Sequence, residues 1–466
     1  MSNEYEMERG AHAVLRTLTG AGYEAVLVGG CVRDRWLGLP VKDMDIATSA
    51  LPEQVMSLFA HTVPTGLQHG TVTVIPERGG PAFEVTTFRT EGDYADYRRP
   101  ETVEFVTSLD ADLQRRDFTM NAMAEYADGR LYDPYGGRDD LGRGVLRCVG
   151  EARERFGEDA LRMLRCVRFA AAYGLEIEAG TWAALQEQAP LLRHVAMERC
   201  RAELERMVEG RAPVRSLQLL AESGLWRHFK VPTGVDWGRG SELAGGSAGS
   251  GAPNEQHRPD EPGKDVRPPV PAAAIRSAGH EADAGARGLE ARWTKLEEPE
   301  TKWALLWTLL GVDSDASLQA MQALVFAKRR MEAVGAVLAC DATLAQQAAA
   351  DAESVRAAWV RAALRYGVQA LRRWLALRAA AAPPDGPQRE ALHSGAVWLA
   401  ALPAATLQEL AVGGADVQAA LGERGGPWLG ELLHKLLVRV ALGELRNERE
   451  PLLTEARRLR EQQRSS

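Results

Sequence analysis

The run from Leu27 to Thr48, LVGGCVRDRWLGLPVKDMDIAT, constrains this chain more than any other stretch. Ala25-Val26-Leu27-Val28 is apolar, of strand length, and leads directly into Gly29-Gly30. Two glycines let the backbone turn sharply and let a ligand approach its N–H groups. Arg33-Asp34 opens a short helical pattern that ends at Gly38, with Pro40 just beyond. Asp43-Met44-Asp45-Ile46 then reads as a strand whose two carboxylates share one face, while Met44 and Ile46 point inward. Paired carboxylates repel, and a cation between them relieves the repulsion. Hard oxygen donors of this kind suit Mg²⁺, which is commonly held by one or two carboxylates together with substrate phosphates. Either half alone is weak. A glycine phosphate turn, an arginine and a D-x-D pair in sequence point to nucleotidyl transfer.

Three further stretches carry chemistry. Thr71–Ile75 and Phe83–Phe88 are rich in β-branched and aromatic residues and read as strands. Glu84 lies on the second of these. Its position is equally compatible with an ordinary solvent-facing residue and with a third acid beside Asp43 and Asp45. Arg115-Arg116-Asp117-Phe118-Thr119-Met120-Asn121-Ala122 places an arginine within reach of a phosphate, just before a helix that Asp117 would cap. Asp117 and Asn121 would then share a helix face. Glu158–Phe169 has the apolar spacing of one helix, on which Asp159, Arg162 and Arg165 step by three along a neighbouring face. A carboxylate and a guanidinium together offer acceptors and fixed donors. That set matches the amino-plus-acceptor edge shared by cytosine and adenine and opposes the edges of G and U. Each wrong pairing costs on the order of 1–3 kcal/mol. A plain exposed ion pair on the helix would contribute only about 0.3–0.5 kcal/mol.

These spellings resemble the polymerase β-like nucleotidyltransferase superfamily and, within it, the bacterial class II tRNA nucleotidyltransferases (CCA-adding enzymes) and their poly(A) polymerase relatives. The resemblance is carried by GG-x-V-R-D-x-x-L-G-x-P-x-x-D-x-D-I-A-T, by E-V-T-T-F-R around Glu84, by R-R-D-F-T-x-N-A and by E-D-A-L-R-M-L-R-x-x-R-F. It implies an α+β protein: an N-terminal mixed α/β catalytic head over 1–150, a helical neck over 151–215, a helical body over 216–375 and a helical tail over 376–466 that binds tRNA. It implies Asp43 and Asp45 as metal ligands and, with Glu84, as the catalytic acids acting with Mg²⁺. It further implies that Gly29, Gly30, Arg33, Arg116, Asp117 and Asn121 bind the nucleotide. Asp159 and Arg162 would select the base, with Arg165 and Arg168 in support. The expected reaction is template-independent addition of C, C and A to the tRNA 3′ end from CTP and ATP, releasing pyrophosphate.

Within the same resemblance stand CC-adding or A-adding partial enzymes and poly(A) polymerases; a non-catalytic RNA-binding relative would lack the intact acid pair. Arg89–Pro100 reads as a mobile loop, and it resembles the flexible loop of enzymes with the complete activity. Met197–Arg206 reads as an amphipathic helix that supports the base-selecting helix. Residues from about 234 to 295 are rich in Gly, Pro, Ser and charge, and read as a disordered insert. Glycines at 413, 414 and 426 precede helical patterns in the tail, where helix N-termini offer N–H groups to RNA phosphate; Arg446 and Asn447 are further candidates for RNA contact.

Composition narrows the remainder. A chain of 466 residues with 45% hydrophobic residues has material for real cores in about two to four units. No apolar run reaches bilayer length, and the polar start MSNEYEMERG has no signal-peptide pattern, so no membrane partner is expected and the location is expected to be cytoplasmic. Five scattered cysteines without C-x-x-C spacing fit a reducing compartment and no zinc site. The net charge of −8 argues against a general nucleic-acid binder, which is usually basic, although arginine recurs densely from Arg153 to Arg206 and can form a local basic face. No His-Asp dipeptide occurs, which argues against an appended phosphohydrolase of the HD type.

Overall fold

The computed structural model describes residues 3–92, 94–95, 99–100, 103–244, 284–345, 352–381 and 386–465. The chain divides into two compact units, Met1–Arg287 and Gly288–Ser466.

The first unit begins with α1 (Asn3–Gly20), whose Ala11, Val14, Leu15 and Leu18 stripe is fully buried. The strands of the head are β1 (Ala25–Val28), β2 (Asp45–Thr48), β3 (Thr62–Gly66), β4 (Thr71–Val74) and β5 (Phe83–Thr87). They are followed by β6 (Arg89–Glu91), β7 (Tyr94–Ala95), β8 (Arg99–Pro100), β9 (Val103–Phe105), β10 (Ala124–Glu125) and β11 (Leu131–Tyr132). Seven of them form one mixed sheet in the order β11-β10-β1-β2-β5-β4-β3. β1 is buried along its whole length, as an apolar run in a central strand should be. It runs antiparallel to β2, which runs parallel to β5. β3 escapes sequence reading because TVPTG carries Pro64 and Gly66; it is an edge strand, where a missing N–H is tolerated.

Helices α2 (Gly30–Trp36), α3 (Pro52–Leu58), α4 (Leu109–Gln114) and α5 (Gly137–Arg143) belong to the head; α6 (Ala152–Glu158), α7 (Leu161–Tyr173), α8 (Ala179–Gln188), α9 (Met197–Val208) and α10 (Pro213–Ser223) follow. A short strand β12 (Val145–Leu146) pairs in parallel with β13 (Glu176–Ile177). The end of the head therefore pairs with the segment that follows α7 rather than with the head sheet.

Several expectations are corrected. Glu158–Phe169 is not one helix: Asp159 stands between α6 and α7 in extended backbone (φ −136°, ψ 102°). The helix expected after Asp117 is a single 3-10 turn, Thr119–Asn121, capped by Phe118 rather than Asp117. Phe118 bridges Cys148, and the Asp117 carbonyl accepts from Val149 N, so tertiary pairing holds this segment extended. The stretch Arg89–Pro100 is not simply a loop. β6 pairs with β9 and β7 with β8, which makes an antiparallel ribbon; residues 93 and 96–98 lie outside the described residues.

The expected insert is also shorter than its composition suggested. Residues 237–244 form a 3-10 segment anchored by buried Trp237, whose indole donates to Thr233 Oγ1 at 2.9 Å. Ala284–Thr294 is a helix with buried Leu289 and Trp293. Residues 245–283 lie outside the described residues.

The second unit is helical among its described residues, from Pro299–Leu309 to Arg449–Ser465. Trp303 packs on Trp307 and edge-on against Phe326, and Trp359 packs edge-on against Trp374 and Trp398. Val417, Leu432, Leu436, Val440, Leu452 and Ala456 form a separate core. Asn447, a candidate for RNA contact, has its amide engaged within the protein: it accepts from Ala411 N and donates to the Glu409 carbonyl, each at 2.8 Å.

Gly137 opens α5 so close to the 3-10 turn that an added Cβ would lie 2.2 Å from the Thr119 carbonyl oxygen. Gly137→Ala is expected to push α5 off that turn and to lower stability by about 1–3 kcal/mol in urea unfolding.

Candidate active site

The carboxylate face forms as the alternation predicted. Asp43 and Asp45 lie on the open face of the strand while Met44 and Ile46 are buried, although the hydrogen-bonded strand itself begins at Asp45. The parallel register, Ile46 opposite Val85, sets Glu84 beside Asp45 on the adjoining strand, exposed between buried Phe83 and Val85. Partial burial, then Asp43, then Glu84 raise the Asp45 carboxyl to about 6, with Arg116 opposing them. An acid so disfavoured as an anion is suited to a cation. Among the described residues, no three His, Cys, Asp or Glu side chains stand in a metal-holding group. The donor set thus fits an ion held by an aspartate pair and completed by phosphate and water, rather than an all-protein cage.

Gly29 takes φ 74° at the turn from β1 into α2. Its N–H donates to the Met123 carbonyl at 3.4 Å, so this amide serves the protein and is not a free phosphate donor. What the glycine provides is space: a Cβ there would stand 3.1 Å from Arg116 Nη1. Gly30 begins α2, with Arg33 Nη2 about as near to its own Cβ position, at 3.4 Å.

Arg116 and Arg33, the two arginines expected at the nucleotide, are held by different groups. Arg116 donates to Asp112 Oδ2 at 3.1 Å and to the Asn121 carbonyl at 3.4 Å. Asp112, nearly fully buried, also takes Arg115 at 2.7 Å, and these two arginines hold its carboxyl below the ordinary range despite burial. Buried Arg33 donates to Asp34 at 2.9 Å and to Asn121 Oδ1 at 2.5 Å. Asn121 Nδ2 in turn donates to Asp117 Oδ1 at 3.0 Å, and Arg165 Nε donates to Asp117 Oδ2 at 2.8 Å. Arg33, Asn121, Asp117 and Arg165 therefore form one continuous chain of hydrogen bonds. Burial pushes the Asp117 carboxyl up, but Arg165, the Asn121 amide and Arg162 together bring it down to about 2.

Of the two residues expected to select the base, Arg162 donates its backbone N–H to the Asp159 carbonyl at 2.9 Å, while their side chains are held by other groups. Asp159 accepts a two-pronged contact from Arg199 on α9, at 3.1 and 2.7 Å, and also accepts from Leu161 N. Arg162 is buried and donates to Glu158 at 2.5 Å, to the Arg115 carbonyl at 2.9 Å and to the Arg155 carbonyl at 3.2 Å. Arg168 donates to buried Glu203 on α9 at 2.6 Å and lies over the Phe169 ring. The supporting role expected of Met197–Arg206 is thus visible in two ion pairs. Sequence reading did not single out Asp34, Asp112 or Tyr173. Asp112 had a local signal, since it stands three and four residues before Arg115 and Arg116. Asp34 and Tyr173 meet only across the fold.

Comparison with known proteins matches three family models. "Poly A polymerase head domain" covers residues 25–147, "Probable RNA and SrmB- binding site of polymerase A" covers 174–232, and "tRNA nucleotidyltransferase domain 2" covers 294–456. The CCA-adding enzyme of Geobacillus stearothermophilus is 38% identical over 454 residues, 97% of this chain and 98% of that protein. The chain belongs to the CCA-adding enzyme family. The family member of Geobacillus thermodenitrificans is 39% identical over 94% of each chain. The crystal structure of the Bacillus stearothermophilus CCA-adding enzyme in complex with CTP superposes with a TM-score of 0.74 at 34% identity, covering 98% of this chain and 99% of that one. Membership makes this chain a nucleotidyltransferase, a class of this family that generally uses a divalent metal. No helix among the described residues is long and apolar enough to cross a membrane.

Asp117→Asn removes the hydrogen-bonded counter-charge of Arg165, which Glu203 and Asp159 replace only in part, and is expected to cost about 3 kcal/mol in chemical unfolding. Because the folded Asp117 is held near 2 against an ordinary value near 4, its contribution is present above pH 4 and disappears as pH falls toward 2. The stability gap between wild type and variant should narrow over that interval.

Proposed function

We propose that Asp43, Asp45 and Glu84 form the catalytic face of this CCA-adding nucleotidyltransferase, and that the arginine–asparagine–aspartate chain beside it binds the incoming nucleotide. The observation that carries this is the adjacency of the two sets: Arg116 reaches both the charge field of Asp45 and the backbone of Asn121. The substrates are CTP, ATP and the 3′ end of tRNA, to which C, C and A are added in order with release of pyrophosphate. Asp43 and Asp45 would hold Mg²⁺, which when bound neutralises the triphosphate and lowers the pKa of the attacking 3′-hydroxyl. Arg33 and Arg116 bind and orient the triphosphate. Gly30 contributes the open start of α2, and Gly29 contributes room rather than its amide. Asp117 and Asn121 fix the ribose side and hold Arg33 and Arg165 in place.

Asp159 and Arg162 select the base. Each has protein partners: Arg199 presents the Asp159 carboxylate in one orientation, and Arg162 is fixed by Glu158 and two carbonyls. Arg165 and Arg168 brace the helix that carries them. The division of labour we assign is head 1–150, neck 151–215, body 216–375 and a tRNA-binding tail 376–466. The enzyme acts in the cytoplasm, a compartment that suits five cysteines that are all free and buried.

The test is incubation of the full chain with Mg²⁺ and tRNA transcripts ending before CCA, at C and at CC, with products sized to one nucleotide. Growth that stops at CCA on all three supports the full activity. A stop at CC identifies a partial enzyme, and long A tails a poly(A) polymerase. Asp43→Asn combined with Asp45→Asn should abolish extension while tRNA binding in a filter assay persists. Residual extension by that double variant overturns the metal assignment. Asp159→Ala should lower the preference for CTP over UTP by about tenfold or more, the loss of one to two hydrogen-bonded discriminations.

A further inference from the structure

Arg33 is a head residue, yet one face of its guanidinium is covered by α7. The centre of the guanidinium lies 4.3 Å from the Tyr173 ring centroid and 5.4 Å from that of Phe169. The Tyr173 hydroxyl donates to Asp34 Oδ1 at 2.9 Å, the same oxygen that accepts Arg33 Nε at 2.9 Å. Tyr173 therefore holds Arg33 twice, directly by its ring and indirectly by fixing the carboxylate that orients Nε. With Nη1 on Asn121, the remaining donors of the fork lie beside Gly30, where Nη2 comes within 3.4 Å of that residue's Cβ position. Arg211, which is exposed, also lies 5.3 Å from the Tyr173 ring.

We infer that Tyr173 is a positioning residue for triphosphate binding: it sets the guanidinium plane of Arg33, and so ties the phosphate end of the nucleotide to the helix whose first turn carries the base-selecting Arg162. This inference rests on the assignment of Arg33 to the triphosphate. The physical basis is that a long arginine side chain loses conformational freedom when a ring covers its face and a carboxylate fixes its Nε, so its remaining donors are pre-aimed. Tyr173 stands at the end of α7 and Arg162 near its start, so one rigid element registers both ends of the nucleotide. No proton or bond changes hands at Tyr173; its contribution is orientation alone.

The experiment compares Tyr173→Leu, Tyr173→Phe and Arg33→Lys in the full chain, with KM for CTP, ATP and tRNA and the inhibition constant of pyrophosphate as readouts. Pyrophosphate carries no base, so it reports on the phosphate site by itself. Tyr173→Leu should raise KM for CTP and ATP and the pyrophosphate constant by one common factor, about three- to tenfold. KM for tRNA and the choice of CTP over UTP should stay at wild-type values. Tyr173→Phe, which keeps the ring and loses the hydroxyl, should fall between. Wild-type pyrophosphate inhibition in both Tyr173 variants overturns the inference, as does a loss confined to CTP-over-UTP choice. If the leucine variant fails to fold, the phenylalanine variant decides by the same criterion. Arg33→Lys separates the two levels: unchanged pyrophosphate inhibition there overturns the triphosphate assignment itself, whereas a rise there with silent Tyr173 variants overturns only the role of Tyr173.

Discussion

A buried carboxylate, Asp117, is the point on which the catalytic region depends. It is almost fully enclosed yet held ionised, because Asn121 and the Phe118 N–H share one oxygen and Arg165 takes the other. Desolvating a carboxylate is costly unless its lone pairs and its charge are both matched. Matching them here recruits Arg165 from α7 and Asn121 from the 3-10 turn, and Asn121 recruits Arg33 from α2. Three elements distant in sequence are thereby fixed around one charge.

The opposite electrostatic choice is made a short distance away. Asp45 is given no arginine of its own; partial burial and two neighbouring acids destabilise its anion, and only Arg116 opposes them. One acid is neutralised by protein and serves architecture. The other is left under-compensated, on the face proposed for catalysis. The sheet makes this possible, since β2 lies between β1 and β5 and carries its acids where the parallel neighbour places Glu84 alongside. The head is joined to α7 through Asp117–Arg165 and Arg33–Tyr173, and the β12–β13 pair ties the end of the head to the segment after α7.

Much of this was legible from local pattern. The apolar run at β1, the alternation at Asp43–Ile46 and the stripe of α1 each follow from a periodicity of two or 3.6 that burial enforces. What local pattern could not show were competitions decided by tertiary contact. Glu158–Phe169 has helical spacing throughout, but Arg199 draws Asp159 out into extended backbone. Phe118–Met123 has helical composition, but pairing of Phe118 with Cys148 leaves only one turn. The Gly- and Pro-rich insert hides ordered ends because Trp237 and Trp293 anchor them, and a single tryptophan leaves no periodic signal.

The sequence by itself determined the reaction class, because residue types at fixed spacing along one strand and one turn are sufficient to specify two acids, a phosphate turn and an arginine. Tertiary structure alone decided how each residue expected to bind nucleotide is partnered. The Gly29 amide bonds the Met123 carbonyl and its missing Cβ leaves room for Arg116, Asp117 is a hub rather than a cap, and Arg162 is braced by Glu158. The reason is physical: hydrogen-bond capacity belongs to a side chain, but its use depends on which partners the fold brings within about 3 Å, and those partners lie tens of residues away.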